Sequence, residues 1–252
     1  MDGFNCIFDD ATREYKANES QLECFRFARN IYGFCINEGG IDNQALNYAL
    51  EINKELYNKY INVPKGVIGY KGHEDKYLAI DDIDSKHILQ LTFLSNKLNA
   101  FNRIVEIGGG FGNMIRLSKD IIAYDSWNII DIPHMLELQQ YYLEKEILDI
   151  SKIHFVSGNL NIDYSNTPID LVIGTHSISE LSWDIFIKYF DKVIKYSKYL
   201  YIGFNKNAPS TELINMKINH INTIFKLEDN FDYTEIPYGA NVSYSLYKQI
   251  TY

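Results

Sequence analysis

Apolar residues recur at helical spacing along the first part of the 252-residue chain. From Glu19 to Ile36 they mark a helix with one buried stripe, and Gly39–Gly40 supplies its end. Asp42 is placed to cap a second helix that extends to Tyr60, and a third helix is predicted from Ser85 to Leu98. Residues 67–82 contain two glycines and mixed charge, so we expect a loop there that acts either as a lid or as a connector.

From residue 103 onward, short apolar runs alternate with helical stretches, which is typical of a parallel sheet built from βαβ units. Five strands are predicted, at Ile104–Ile107, Trp127–Ile130, His154–Ser157, Leu171–Gly174 and Tyr199–Gly203. The pattern therefore indicates an α/β fold for this part of the chain.

The C-terminal pattern departs from this alternation. A helix is predicted from Thr211 to Phe225. The apolar stretches Tyr233–Ile236 and Val242–Tyr247 flank a turn at Pro237–Asn241, and they are expected to pair as antiparallel strands.

The length of the chain allows one α/β domain with an appended region, or two small domains. We predict a helical N-terminal region over residues 1–100 and an α/β domain over residues 101–252. The helical region would serve as a lid, as a substrate-binding element or as a dimerisation surface.

Composition narrows the classes of partner. The chain has 24 Lys and Arg against 33 Asp and Glu, and this net charge of -9 argues against nucleic acid as the substrate. No apolar run approaches the ~20 residues of a membrane span, and the first five residues do not resemble a secretory signal, so we expect a cytoplasmic protein. The three cysteines form no Cys-x-x-Cys pair, and no metal site is predicted.

A glycine-rich turn follows the first predicted strand. It contains Glu106, Gly108, Gly109, Gly110 and Gly112. A nucleotide-type ligand needs such a turn, because backbone can approach it closely only where side chains are absent. A tight strand-to-helix turn without a ligand is the alternative interpretation.

A carboxylate at the end of the second predicted strand favours the interpretation that the glycine-rich turn binds a ligand. Asp131 follows Trp127–Ile130 and stands 25 residues after Glu106 (131 minus 106). A carboxylate in this place can accept hydrogen bonds from both hydroxyl groups of a ribose.

Glu106-x-Gly108-x-Gly110-x-Gly112 matches the Glu-x-Gly-x-Gly-x-Gly signature of class I methyltransferases that use S-adenosylmethionine (SAM). Ile130–Pro133 resembles the second motif of the small-molecule O-methyltransferases in that family. A dinucleotide-binding Gly-x-Gly-x-x-Gly turn would need glycine where Asn113 stands. The resemblance covers about residues 101–252, with the C-terminal hairpin included. It implies a Rossmann-like, mostly parallel sheet that binds SAM and releases S-adenosylhomocysteine (SAH).

The resemblance also implies roles for single residues. Glu106 and Gly108 would lie near the methionine part of SAM, and Asp131 would hold the ribose. The family commonly has Asp where Asn159 stands, and Asn159 can still accept a hydrogen bond from an adenine amino group. The full implied cofactor-binding set is Glu106, Gly108, Gly109, Gly110, Gly112, Asp131, Ile132, Asn159, Leu160 and Thr175.

The segment Thr175–Trp183 follows the fourth predicted strand, and parallel α/β sheets bind ligands beyond the carboxyl ends of their strands. Methyl transfer to an alcohol needs a base that takes the proton. His176 is the candidate base, and Glu180 would orient its imidazole or bind a substrate hydroxyl. Alternatively, His176 only hydrogen-bonds its own loop, and Glu180 is a solvated residue at the start of a helix.

The motifs at Ile130–Pro133 and Thr175–Leu181 together resemble bacterial sugar O-methyltransferases associated with surface and capsule polysaccharides. This resemblance implies O-methylation of a small polar acceptor such as a sugar or a sugar nucleotide. One alternative is a methyltransferase that acts on a phosphate-type oxygen, on nitrogen or on a non-sugar metabolite. Another is a non-catalytic protein of the same fold that binds SAM or a partner, with its N-terminal helices mediating a homodimer.

Overall fold

The fold is described from a computed structural model of the chain. The structure describes residues 22–27, 40–76, 78–98, 100–147, 149–158, 162–206, 211–235 and 240–250. Most of the predicted helix Glu19–Ile36 lies outside these ranges, and Phe25–Phe27 form a 3-10 turn within it.

Within the described residues before the sheet, the α-helices are α1 (Asn43–Ile52), α2 (Lys54–Ile61) and α3 (Asp82–Lys97). The prediction of one helix from Asp42 to Tyr60 is wrong, because the chain is extended at Asn53, with φ -161°. The Asn53 side chain instead accepts the first free backbone N–H groups of α2, as asparagine readily does at a helix start.

The starts of α1 and α3 are set by carboxylates. Asp42 caps α1 as predicted, since its side chain accepts the Ala45 N–H. Helix α3 begins three residues earlier than predicted because Asp81 and Asp84 form a reciprocal capping box around its first turn.

In the described part of the chain, one sheet contains seven strands in the order β3-β2-β1-β4-β5-β7-β6. Neighbouring strands among β1 to β5 run parallel, and β7 runs antiparallel to both β5 and β6. The strands are β1 (Ala100–Ile107), β2 (Ala123–Asp131), β3 (Ile153–Ser157), β4 (Ile169–Thr175), β5 (Ser197–Asn205), β6 (Phe225–Glu235) and β7 (Ala240–Gln249). The mostly parallel Rossmann-like sheet with a reversed C-terminal hairpin is thus confirmed.

Where the structure describes the connections between these strands, they contain α4 (Asn113–Ser118), α5 (Pro133–Glu146), α6 (Ser177–Glu180), α7 (Trp183–Lys192) and α8 (Thr211–Ile221). The predicted helix Thr211–Phe225 is wrong at its end, because the chain turns at residues 222–224 and Phe225 already begins β6. Strand β6 is therefore much longer than the predicted stretch Tyr233–Ile236, of which Ile236 lies outside the described residues.

Two hydrophobic cores cover the two faces of the sheet. The first joins Ala45 of α1 and Leu89 of α3 to Trp127 and Tyr201 of the sheet. The second is formed by the opposite strand faces with α7 and α8. The N-terminal helices therefore share a core with the sheet. Within the described ranges, no helix combines the length and the apolar composition needed to cross a bilayer.

Candidate active site

The glycine-rich turn joins β1 to α4. Gly108, Gly110 and Gly112 have positive φ angles of 73°, 56° and 89°, a region that costs other residues roughly 1–2 kcal/mol. A Cβ atom on Gly109 would lie 2.9 Å from Ile129 Cγ2, so that position excludes a side chain. A Cβ atom on Gly110 would meet no atom within 4 Å, so the space above this residue is open.

Glu106, in β1 just before the turn, is buried and accepts a 3.0 Å hydrogen bond from Trp127 Nε1. Burial raises the pKa of its carboxyl to about 7, and the nearby Asp131 adds to the rise while the Trp127 bond opposes it. Trp127 thus holds the Glu106 side chain against the first core.

Asp131 ends β2, and both of its carboxylate oxygens are engaged. Oδ1 accepts from the Ile132 N–H at 2.9 Å, and Oδ2 accepts from Gln139 Nε2 at 2.7 Å. The same Gln139 nitrogen donates to the Gly110 carbonyl at 2.9 Å. Gln139 therefore connects the carboxylate to the glycine-rich turn, a contact that the sequence pattern does not predict.

Burial also raises the pKa of Asp131 to about 7, opposed by hydrogen bonds from Ile132, Gln139 and Gly109. Gln139 Oε1 is buried and accepts no hydrogen bond from any residue that the structure describes. Such an acceptor invites a donor from a ligand. This orphaned oxygen, the Asp131 carboxylate and the open space at Gly110 together fit the hydroxyl-bearing ribose of SAM.

Burial of Asp131 sets the sign of a pH effect on folding. The pKa of Asp131 is about 7 in the folded protein, against an ordinary value of 3.8. The folded protein therefore binds the proton of this carboxyl more tightly than the unfolded chain does. This contribution to the free energy of unfolding is present in full below pH 3.8 and is lost as the pH rises to about 7. We expect the free energy of unfolding of the ligand-free protein to be higher at about pH 5 than at about pH 8. Urea unfolding should show a weaker pH dependence in Asp131→Asn, and equal dependence in both proteins would contradict the assignment.

The end of β3 lies beside Asp131. The Gly158 N–H donates to the Asp131 carbonyl at 2.7 Å, and the Tyr189 hydroxyl of α7 donates to the Gly158 carbonyl at 3.1 Å. Asn159 and Leu160, the predicted adenine contacts, lie outside the described residues.

The loop after β4 lies beside the glycine-rich turn. Thr175 ends the strand, and the Ser177 hydroxyl donates to the Ile107 carbonyl, next to Gly108. His176 has φ 65°, the one positive φ angle among the non-glycine residues that the structure describes. Such a conformation costs about 1–3 kcal/mol and is typical of functional sites. The structure therefore places the loop that carries the candidate base at the carboxyl ends of β1 and β4.

The His176 ring is hydrogen-bonded to Tyr244 of β7, with 3.1 Å between Nε2 and the tyrosine hydroxyl. Glu180 lies on α6, where its backbone N–H donates to the His176 carbonyl. Partial burial raises the pKa of Glu180, and the charges of His176 and Lys217 oppose the rise.

Lys217 of α8 stabilises the loop after β4 through hydrogen bonds from its side chain. Its side chain is buried, and Nζ donates to the carbonyls of Ile178 at 3.1 Å, Ser179 at 2.9 Å and Leu181. These carbonyls are left open at the end of the short helix α6. A lysine within the apolar stripe of α8 was the sequence signal that could have revealed this contact.

The segment of residues 67–82 contacts helix α5 through Ile68. The Ile68 N–H donates to Glu146 Oε1 of α5 at 2.9 Å, and Arg26 Nε donates to the Ile68 carbonyl at 2.8 Å. Tyr70 is buried, and its hydroxyl donates to Asp81 at 3.1 Å. Whether this segment acts as a lid stays a prediction.

The strand order, the reversed β7 and the glycine-rich turn define the Rossmann-like fold of class I methyltransferases. The N-methyltransferase NodS from Bradyrhizobium japonicum in complex with SAH has a TM-score of 0.54 and 14% identity, over 81% of this chain and 100% of NodS. The methyltransferase domain of bacterial CtHen1 has a TM-score of 0.51 and 12% identity, over 63% of this chain and 95% of that domain. No family model and no curated protein matches the sequence.

Proposed function

We propose that the protein is a SAM-dependent methyltransferase that methylates a hydroxyl group of a small polar acceptor. The observation that carries the proposal is the Asp131–Gln139–Gly110 arrangement, because it combines a ribose-binding carboxylate with an orphaned acceptor and open space at the turn. The fold, similar to that of NodS in complex with SAH, supports it.

Within this proposal, Asp131 and Ile132 hold the ribose, Glu106 and Gly108 lie at the methionine part, and Thr175 completes the wall of the site. Bound SAM would supply an activated methyl group. An alcohol is too weak an acid to lose its proton unaided, so His176 takes the proton of the acceptor hydroxyl. The strained backbone and the bond to Tyr244 keep its imidazole in one orientation.

The acceptor is a sugar or a sugar nucleotide in this proposal, on the resemblance of Ile130–Pro133 and Thr175–Leu181 to sugar O-methyltransferases. The net charge of -9 is consistent with a small acceptor in place of nucleic acid. Residues 1–100 would form the helical region that covers the site or mediates a homodimer, and the protein would act in the cytoplasm.

A nitrogen acceptor is the second candidate, because NodS is an N-methyltransferase. A neutral amine carries its own lone pair and needs no base to become a nucleophile. Loss of activity in His176→Gln would therefore favour a hydroxyl acceptor, and full retention would favour an amine.

Isothermal titration with SAH tests the proposal directly. Binding at one site per chain is the expected result, and an absence of heat with both SAH and SAM would overturn it. Methyl transfer from labelled SAM to sugar nucleotides, free sugars and amines then identifies the acceptor class.

Gly110→Ala should separate ligand binding from folding. The added methyl group meets no protein atom, so the cost to folding is about 1–2 kcal/mol from the positive φ angle alone. SAH binding should be lost, because the methyl group enters the space proposed for the cofactor. Calorimetry and urea unfolding measure the two effects.

Gly72→Ala is the matched control for this substitution. Gly72 is exposed, has φ 77° and likewise has no atom within 4 Å of an added Cβ. Its replacement should cost similar stability and leave SAH binding unchanged. Equal SAH affinity of Gly110→Ala and Gly72→Ala would contradict the placement of the cofactor at the turn.

A further inference from the structure

Two buried carboxyl groups contact Gly109 of the glycine-rich turn. A Cβ atom on Gly109 would lie 3.4 Å from Glu106 Oε2, and the Gly109 backbone donates a hydrogen bond to Asp131. Glu106 is 3% exposed and Asp131 is 4% exposed. The turn therefore brings together two acidic side chains that have little access to solvent.

The hydrogen-bond donors that the structure gives these two carboxyls are neutral groups. Glu106 accepts from the Trp127 indole, and Asp131 accepts from the Gln139 amide and from two backbone N–H groups. Within the part of the chain that the structure describes, no lysine or arginine forms an ion pair with either carboxyl. We call Glu106 and Asp131 the acidic pair.

Tyr189 of α7 is a further titratable group near the acidic pair. Burial, and then the charge of Asp131, raises the pKa of its hydroxyl to about 12, so it stays neutral around pH 7. From β2 and α5 the acidic pair meets the Trp127 indole and the Gln139 amide, which do not titrate in this range. Of these described groups, the two carboxyls are the ones that exchange protons near neutral pH.

The ligand-free acidic pair holds a proton near neutral pH. Removing a carboxylate from water without a cation costs on the order of several kcal/mol, so such a group keeps its proton instead. Two neighbouring carboxyls also oppose each other's ionisation. Burial raises the pKa of each carboxyl to about 7, and the charge of Asp131 adds to the rise at Glu106.

A ligand that donates hydrogen bonds favours the ionised form of the acidic pair. Both hydroxyl groups of a ribose can donate to the Asp131 carboxylate, whereas a protonated carboxyl keeps one free accepting oxygen. In the proposed function, the methionine part of the cofactor lies at Glu106, and its ammonium group brings a positive charge to the acidic pair. Both parts of the cofactor therefore bind the ionised pair better than the protonated one.

We infer that SAM and SAH bind with release of one proton from the acidic pair, so that the cofactor affinity falls in acidic solution. This inference rests on the proposed function. The proton passes from the carboxyl to the buffer, while the ribose hydroxyl groups keep their own protons. The ionised pair is the form that binds, so the affinity is highest above the pKa of about 7 and declines below it.

Isothermal titration with SAH in two buffers of different ionisation enthalpy, such as phosphate and imidazole, counts the released protons. For one proton with a pKa of about 7, we expect release of about half a proton per SAH at about pH 7. Most of one proton should be released at about pH 6, and almost none at about pH 8.5. The affinity for SAH should fall about tenfold between about pH 8 and about pH 6.

Asp131→Asn removes the carboxyl that accepts the ribose. Its amide has the shape of the protonated carboxyl, so the ligand-free variant should keep its fold. We expect proton release of less than about half the wild-type value, and a weaker pH dependence of the SAH affinity. Asp125→Asn is the matched control, because Asp125 is exposed on the same strand, and it should release as many protons as the wild-type protein.

Carboxyl ¹³C signals give a second measurement that does not depend on heats of binding. The Asp131 signal is assigned by its absence in Asp131→Asn. We expect its titration midpoint near pH 7 in the ligand-free protein. With saturating SAH the midpoint should lie about two pH units lower, the shift that corresponds to a hundredfold preference for the ionised form.

Three outcomes would overturn the inference. They are SAH binding without proton release at about pH 6 and about pH 7, proton uptake on binding, and equal release in the wild-type protein and Asp131→Asn. Failure of SAH to bind the wild-type protein at about pH 8, where the acidic pair is ionised, would instead overturn the proposed function.

Discussion

Replacing Asp131 by asparagine is expected to weaken SAH binding about a hundredfold. The carboxylate can accept both ribose hydroxyl groups with charge-assisted hydrogen bonds of about 1.5–3 kcal/mol each, and the amide keeps only one accepting oxygen. Gln139 and Ile132 already orient the side chain, so little ordering is needed on binding. Isothermal titration with SAH at about pH 8, above the pKa of about 7 of the Asp131 carboxyl, measures the change.

Asp125→Asn is the control for this variant. Asp125 lies on the same strand, and its side chain is exposed. The charge change is identical, and SAH binding should be unaffected. Undiminished affinity in Asp131→Asn, with the wild-type protein binding SAH, would remove Asp131 from the site while leaving the cofactor assignment open.

Trp127→Ala is expected to lower the free energy of unfolding by about 4 kcal/mol, because it empties a large buried site. Trp127 is 0% exposed, packs edge to face on Tyr124 and donates to the buried Glu106 carboxyl. Urea unfolding measures the loss.

Two further variants separate packing from hydrogen bonding. Trp127→Phe keeps an aromatic ring and removes the donor to Glu106, at a cost of roughly 1–3 kcal/mol for an unpaired buried oxygen. Trp183→Phe changes the half-buried tryptophan of α7 and should have the smallest effect of the three. Equal losses in Trp127→Ala and Trp183→Phe would contradict the central position of Trp127 in the first core.

The buried parallel strands were predictable, because they are covered on both faces and appear as continuous apolar runs. Strand β6 lies at the edge of the sheet, with exposed residues such as Lys226 and Glu228, and most of it was missed. The break between α1 and α2 was missed because the apolar spacing continues across Asn53. Hydrogen bonds of the Asn53 side chain, and not the spacing, end the first helix.

The residues of the candidate site also divide into those that the sequence predicted and those that it did not. The glycine-rich turn and Asp131 were predicted as site residues because that prediction depends on local backbone and on the end of a strand. Gln139 and Tyr244 have no local signal, since their contacts with Gly110 and His176 span 29 and 68 positions of sequence. Such contacts arise only when the helices and the reversed hairpin pack on the sheet.

By itself, the sequence determined the α/β class, the glycine-rich turn and the carboxylate that follows the second strand. Each follows from short-range physics: strand periodicity, positive φ angles that favour glycine, and the polar end of a buried strand. Only the tertiary structure decided which groups hold these residues. Trp127 is hydrogen-bonded to Glu106, Gln139 to Asp131, Tyr244 to His176, and Lys217 to the loop after β4. Buried polar atoms must find partners wherever packing brings them, and that choice is not encoded in local spacing.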